Sequence, residues 1–135
     1  VADQPQRVDV ITPEGPVYGG DAEIVVVPGT AGELGVLANH APLISSLKPG
    51  QMHVTDLEGT RHEWATDGGF VSVRKNETLV LVGEAVPTGE IDAAEARARL
   101  ERAQATLEQA REGDGDIFRA EREARFAEVL VRASS

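Results

Sequence analysis

The chain changes its grammar once, near Pro87, and that change limits what it can build. Residues 1–88 hold every proline, most of the glycine and only five basic residues, Arg7, Lys48, Arg61, Arg74 and Lys75. Residues 89–135 contain no proline and are dominated by Ala, Glu and Arg, and all eight of their basic residues are arginine. Proline and glycine punctuate short elements, whereas Ala, Glu and Arg are strong helix formers. The sequence therefore predicts a β-rich module over 1–88 followed by a helical module over 89–135.

Within the first module, short β-branched runs alternate with turn chemistry. Runs at 7–12 (RVDVIT), 22–27 (AEIVVV), 34–37, 43–47, 51–56, 61–66, 70–73 and 78–82 read as strands. Between them stand turn formers such as Pro13-Glu14-Gly15-Pro16, Pro28-Gly29, Asn39-His40-Ala41-Pro42, Lys48-Pro49-Gly50 and Gly68-Gly69. Many short strands at such regular spacing predict a sandwich or barrel. Met52 and Val54 point one way and Gln51, His53 and Thr55 the other, the alternation of a half-buried strand.

The second module carries two narrow apolar seams. Ala96, Leu100, Ala103, Leu107 and Ala110 recur at helical spacing, as do Ile117, Ala120, Ala124, Ala127 and Val131. Asp92 and Asp116 are placed to cap the two helices, and Gly113-Asp114-Gly115 breaks the pattern between them. The expectation is an antiparallel helical hairpin whose alanine-rich seam buries little area, so that its docking can change.

Charge and composition remove whole classes of function. With 13 Lys and Arg against 23 Asp and Glu, the net charge is −10, which disfavours a phosphate backbone or a polybasic membrane contact. The absence of cysteine removes disulfides, thiolate zinc sites and thiol nucleophiles. His40, His53 and His62 lie in separate segments without metal-ligand spacing, and no metal site is expected. No phosphate loop, HExxH or GxSxG is present, and Gly29-Thr30-Ala31-Gly32 lacks the lysine a phosphate cradle needs. No apolar run approaches the ~20 residues of a membrane helix, and Val1-Ala2-Asp3-Gln4 carries no signal-peptide pattern, although a chain with its leader removed would read the same. A non-catalytic protein is expected.

One segment is more specific than generic β-sheet: Gly32-Glu33-Leu34-Gly35-Val36-Leu37, then His40-Ala41-Pro42-Leu43 and Leu47-Lys48-Pro49-Gly50. It resembles the GELGVL…HAPL…LKPG signature of the epsilon subunit of bacterial and plastid F-type ATP synthases, called delta in mitochondria. Val10 to Tyr18, the Gly68-Gly69-Phe70-Val71-Ser72-Val73 strand, Glu90-Ile91-Asp92 and Asp114-Gly115-Asp116 resemble other parts of that family in the same order. The resemblance implies a β-sandwich or flattened barrel of about ten strands that clamps the foot of the gamma shaft, sits on the c-subunit ring and helps couple rotation to the catalytic head. It implies a peripheral subunit that meets the membrane only through its partners, on the cytoplasmic face of a bacterial membrane or, alternatively, an organellar inner or thylakoid membrane.

By position in the signature, Glu33 and His40 match family residues at the sandwich end near the c ring and gamma, with Gly32, Leu34 and Pro42 beside them. Glu33 also reads as a solvated loop carboxylate and His40 as a turn histidine bonding its own loop. The helical hairpin resembles the family's regulatory element, which restrains ATP hydrolysis by extending toward the alpha/beta catalytic hexamer. Arg119, Arg122 and Arg125 are candidates for that contact, against the alternative of a solvated face balanced by Glu121, Glu123 and Glu128. Some members bind ATP on the hairpin. Asp92, Arg97 and Arg102 are the matching candidates here, but Glu95 stands where the motif has arginine, so weak or absent ATP binding and no cofactor are expected. A stand-alone ATP-sensing module is the second reading.

Overall fold

The computed structural model describes residues 5–113 and 115–134; the readings on Val1–Gln4 and on Asp114 lie outside the described residues. Nine strands come first: β1 (Gln6–Thr12), β2 (Gly15–Gly29), β3 (Gly32–Leu37), β4 (Leu43–Leu47), β5 (Gly50–Asp56), β6 (Arg61–Thr66), β7 (Gly69–Arg74), β8 (Glu77–Val82) and β9 (Ala85–Pro87). They are ordered β1-β8-β7-β4-β2-β5-β6-β9, with β3 also on β2 and β1 closing back on β2.

The length of β2 organises this sheet. Its first limb pairs with β1, from Gln6↔Ala22 to Thr12↔Gly15. Its second limb pairs with β3 on one side and β5 on the other, and a register shift between Ala22 and Ile24 marks the bend. One strand thus belongs to two layers; counted as two limbs, it brings the total to the ten expected. The sequence placed the start of this strand at Ala22, but it begins at Gly15, because Pro16 near a strand start, beside the irregularity at Val10/Ile11, does not interrupt the ladder. The three-residue β9 was not foreseen at all.

Valine fills the interior. Val8, Val10, Val25, Val27, Val36, Val54, Val71 and Val80 are fully buried, with Met52, Leu47 and Trp64 between the layers. Branched side chains are stiff and suit a pleated surface, and each buried one stabilises by about 1.5–3 kcal/mol. Gln6 is the bulkiest buried polar side chain among the described residues: its amide donates to the Val36 carbonyl at 2.7 Å and its oxygen accepts from the Thr78 hydroxyl at 2.7 Å. Being fully paired, it ties β1, β3 and β8 together, and these hydrogen bonds offset the cost of its desolvation.

After a 3-10 turn (Thr88–Glu90) come α1 (Ala93–Arg111) and α2 (Ile117–Ala133), antiparallel. Asp92 accepts from the Glu95 amide at 3.0 Å and Asp116 from the Arg119 amide at 3.1 Å, the two caps read from sequence. Ala103 packs with Ala124 and Ala127, flanked by Leu100 and Leu107, along the expected seam, and Ala110 and Ala120 are buried as well. A second buried face of α2 was not expected. Phe126, Val129 and Leu130 leave the seam and pack with Ala65 of β6 and Val86, which seats the hairpin on the sandwich.

Candidate partner interface

The outward face of β1, β8, β7 and β4 is apolar where it should be polar. Register places Ile11, Leu81, Phe70 and Ser46 in one row and Asp9, Leu79, Ser72 and Ile44 in the next. Ile44 is 77% exposed, Phe70 59% and Leu81 45%, and Leu79 is exposed as well. A third row, Arg7, Glu77 and Arg74, is charged. The face therefore grades from apolar at one end to ionic at the other. Thr78, Val80 and Val82 of the same β8 are buried on the opposite side, so this strand is apolar on both faces. A strand of that kind is normally covered on both faces, and a contiguous exposed apolar patch marks an association surface. Sequence reasoning missed it. The signal that was available is the unbroken Thr78-Leu79-Val80-Leu81-Val82 run, in which both phases of the alternation are apolar or small.

The signature residues border this face from two sides. Gly32 and Glu33 open β3, where Gly32 pairs with Gly29 at φ +138°, a conformation that only glycine takes without strain. Glu33 is exposed, and Leu34 packs in part on the core. Thr30 in the same hairpin bonds Ser46 on the apolar face at 3.0 Å. His40 lies beyond the other end of β3, with its ring nitrogen 2.7 Å from the Ala41 carbonyl oxygen and Pro42 exposed next to it. That loop is held by Asn39, whose backbone amide donates to the Asn76 side chain in the β7–β8 turn. The structure thus does not bring Glu33 and His40 together. They flank opposite ends of a six-residue strand.

On the hairpin, Arg119, Arg122 and Arg125 are all exposed. Arg125 lies 3.8 Å from Glu121, whereas Arg119 and Arg122 line a shallow recess with Asp116, Glu123 and the 83% exposed Phe118. At the foot of α1, a recess of about 220 Å³ is lined by Glu90, Asp92, Glu95, Arg99 and apolar neighbours. Its three carboxylates disfavour a polyphosphate. Asp92 is spent on its cap, Arg102 is paired to Glu95 at 3.0 Å, and Arg97 is solvent-exposed. Arg99, a residue the sequence did not single out, reaches across to the sandwich and grips Glu84 through two 3.0 Å hydrogen bonds. That bond to Glu84 raises the guanidinium pKa above its ordinary value.

The remaining histidines are structural in their contacts. His62 sits 3.0 Å from Asp56 and stacks near Trp64 and Tyr18. The His62 bond, with backbone donors behind it, holds the Asp56 carboxyl below the usual carboxylate range. Burial, then Arg61, pushes His53 down. Among the described residues no three metal-ligating side chains converge.

Known proteins with this chain's pattern agree on one family. Residues 6–88 match the family model described as ATP synthase, Delta/Epsilon chain, beta-sandwich domain. The ATP synthase epsilon chain of Staphylococcus haemolyticus is 39% identical over 129 residues, 95% of either chain. That of Pelotomaculum thermopropionicum is 44% identical over 107 residues, 79% of each. Among solved structures, a chain of the Euglena gracilis mitochondrial ATP synthase, an OSCP/F1/c-ring assembly, superposes with a TM-score of 0.80 at 24% identity. It covers 96% of this chain and 81% of that one, so the shared fold includes the helices.

Proposed function

The chain belongs to the ATP synthase delta/epsilon family, and from that membership we propose that it is the rotor subunit of the central stalk of a proton-translocating ATP synthase. It makes and breaks no bond. Its sandwich grips the gamma subunit and rests on the c-subunit ring, so that ring rotation reaches the alpha/beta catalytic hexamer without slip. Its hairpin restrains ATP hydrolysis.

The exposed apolar face of β4, β7 and β8 carries this reading. Torque transfer needs a stiff body with a sizeable interface, and a closed β-sheet packed around buried valines is stiff. Covering Ile44, Phe70, Leu79 and Leu81 with the gamma shaft removes apolar surface that is otherwise wet. The Glu33 and His40 loops flank this face and are suited to contact gamma or the ring beside it. The exposed Arg119, Arg122 and Arg125 suit acidic surface on the catalytic subunits. Attachment at the cytoplasmic face runs through partner subunits in this reading, and no described helix is long and apolar enough to cross a membrane.

Regulation by ATP bound to the hairpin is disfavoured. Glu95 repels phosphate and occupies Arg102, and Arg99 is committed to Glu84. Calorimetry with the isolated chain tests this point: no heat is expected at micromolar ATP, and saturable binding would favour the ATP-sensing reading.

The decisive experiment is co-purification with a gamma subunit. The unmodified chain is expected to retain gamma, and the Phe70→Asp, Leu81→Asp double variant to lose it while keeping its β-sheet spectrum. Undiminished binding by the folded double variant would remove the apolar face from the interface.

A further inference from the structure

We propose that Arg99 is a reversible latch that holds the helical hairpin on the sandwich, exchanging Glu84 for Glu123 when the hairpin leaves. This inference rests on the reading of the hairpin as regulatory only for its consequence in the complex; the latch itself is a property of the isolated chain.

The geometry is that of a junction. Arg99 lies on α1, Glu84 just before β9 in the sandwich, and Glu123 and Phe126 on α2. The Arg99 guanidinium forms a fork on Glu84 with both bonds at 3.0 Å, stands 3.7 Å from Glu123 and lies 4.9 Å above the Phe126 ring. One side chain therefore joins three bodies. Bidentate guanidinium–carboxylate pairs are the strong and directional kind of ion pair, which lysine cannot reproduce. Of these contacts, only the one to Glu84 crosses from the hairpin to the sandwich, so only that one is broken when the hairpin moves away as a unit.

Reversibility follows from what happens to each charge. Breaking an ion pair is costly when a charge is left buried without a partner. Here neither is. Arg99 keeps Phe126 beneath it and Glu123 beside it, both travelling with the hairpin. Glu84, whose side chain is already 43% exposed, returns to water. The remaining attachment is apolar, a cluster of Phe126, Val129, Leu130 and Ala96 against Ala65, Val86 and Ile91, and the latch adds direction and salt dependence to it. Such an arrangement has two supported states, as a switching element requires. Because Arg99 and Glu84 are partly exposed, the latch is also weakened by salt.

The test uses the full chain, which has no native cysteine. Dyes on Glu58→Cys, in the exposed β5–β6 turn, and Gln109→Cys, on the exposed side of α1, report the separation of sandwich and hairpin by energy transfer. Arg99→Met keeps the stem and the helix propensity but removes the fork. It is expected to raise the open-to-closed ratio about tenfold, a change worth about 1.4 kcal/mol, and KCl is expected to open the parent chain but not the variant. Glu84→Gln should open the hairpin to a similar degree, and adding it to Arg99→Met should change little further. Arg102→Met, which breaks the Arg102–Glu95 pair wholly within α1, should leave the ratio unchanged. A closed fraction in Arg99→Met equal to that of the parent, or equal opening by Arg102→Met, would overturn the latch. In the assembled complex, Arg99→Met should lower the rate of ATP hydrolysis. Opening of the hairpin with no change in hydrolysis would sustain the latch and overturn the regulatory reading of the hairpin.

Discussion

Gly69 has no space for a side chain. A Cβ there would fall inside contact distance of the Leu81 carbonyl, and the backbone sits at φ +156°. The close approach of β7 to β8 at the Phe70↔Leu81 pair, the centre of the apolar face, depends on it. Gly69→Ala is expected to destabilise the sandwich by more than ~1 kcal/mol, as a lower denaturant midpoint at an unchanged slope. His53 gives a separate residue-scale prediction. Burial lowers its folded pKa, so the unfolded chain binds the proton more readily. Stability from this group is complete above the unfolded value of about 6.5 and falls as pH drops from there toward the lowered folded value. Thermal melts of His53→Gln should lose that part of the pH dependence; an identical slope below pH 6.5 would contradict it.

Among the elements, α2 shows how one helix serves two contacts. Its alanine seam sets how closely the helices approach, whereas Phe126 and Leu130 supply the apolar area that docks the hairpin. Phe126, only 1% exposed, is the bulkiest side chain in that contact. Phe126→Ala is expected to cost about 3–5 kcal/mol of docking, seen as faster hydrogen exchange confined to α1 and α2, while the β-strand amides stay protected. Much at this scale was legible in the sequence. The strand runs, both aspartate caps and the seam are local patterns, set by residues within one or two turns of each other. What was not legible is what register or docking assembles. Spacing arguments select one stripe per helix, and so they found Ala120, Ala124 and Ala127 and passed over Phe126, Val129 and Leu130. Ile11, Ile44, Phe70 and Leu81 are distant in the chain and meet only through strand pairing. The Arg99–Glu84 pair joins the two modules across the compositional break, where neither pattern extends. The signature residues were found because a motif carries them, but motif position did not reveal that Glu33 and His40 stand at opposite ends of β3.

For the molecule as a whole, the separation of cores is the property that matters. The main core draws only on strands before Pro87, and the hairpin adds a second, smaller cluster that touches β6 and Val86. A body whose core is complete without its hairpin suits the proposed role, in which the sandwich grips a shaft continuously while the hairpin changes position. The direct measurement is to end the chain after Thr88 and follow two quantities in the reconstituted complex, retention of gamma and the rate of ATP hydrolysis. The account predicts that gamma is retained as with the full chain and that hydrolysis is no longer restrained. Loss of gamma by the folded truncated sandwich would contradict it, because the grip would then lie in the helices and not in the sheet.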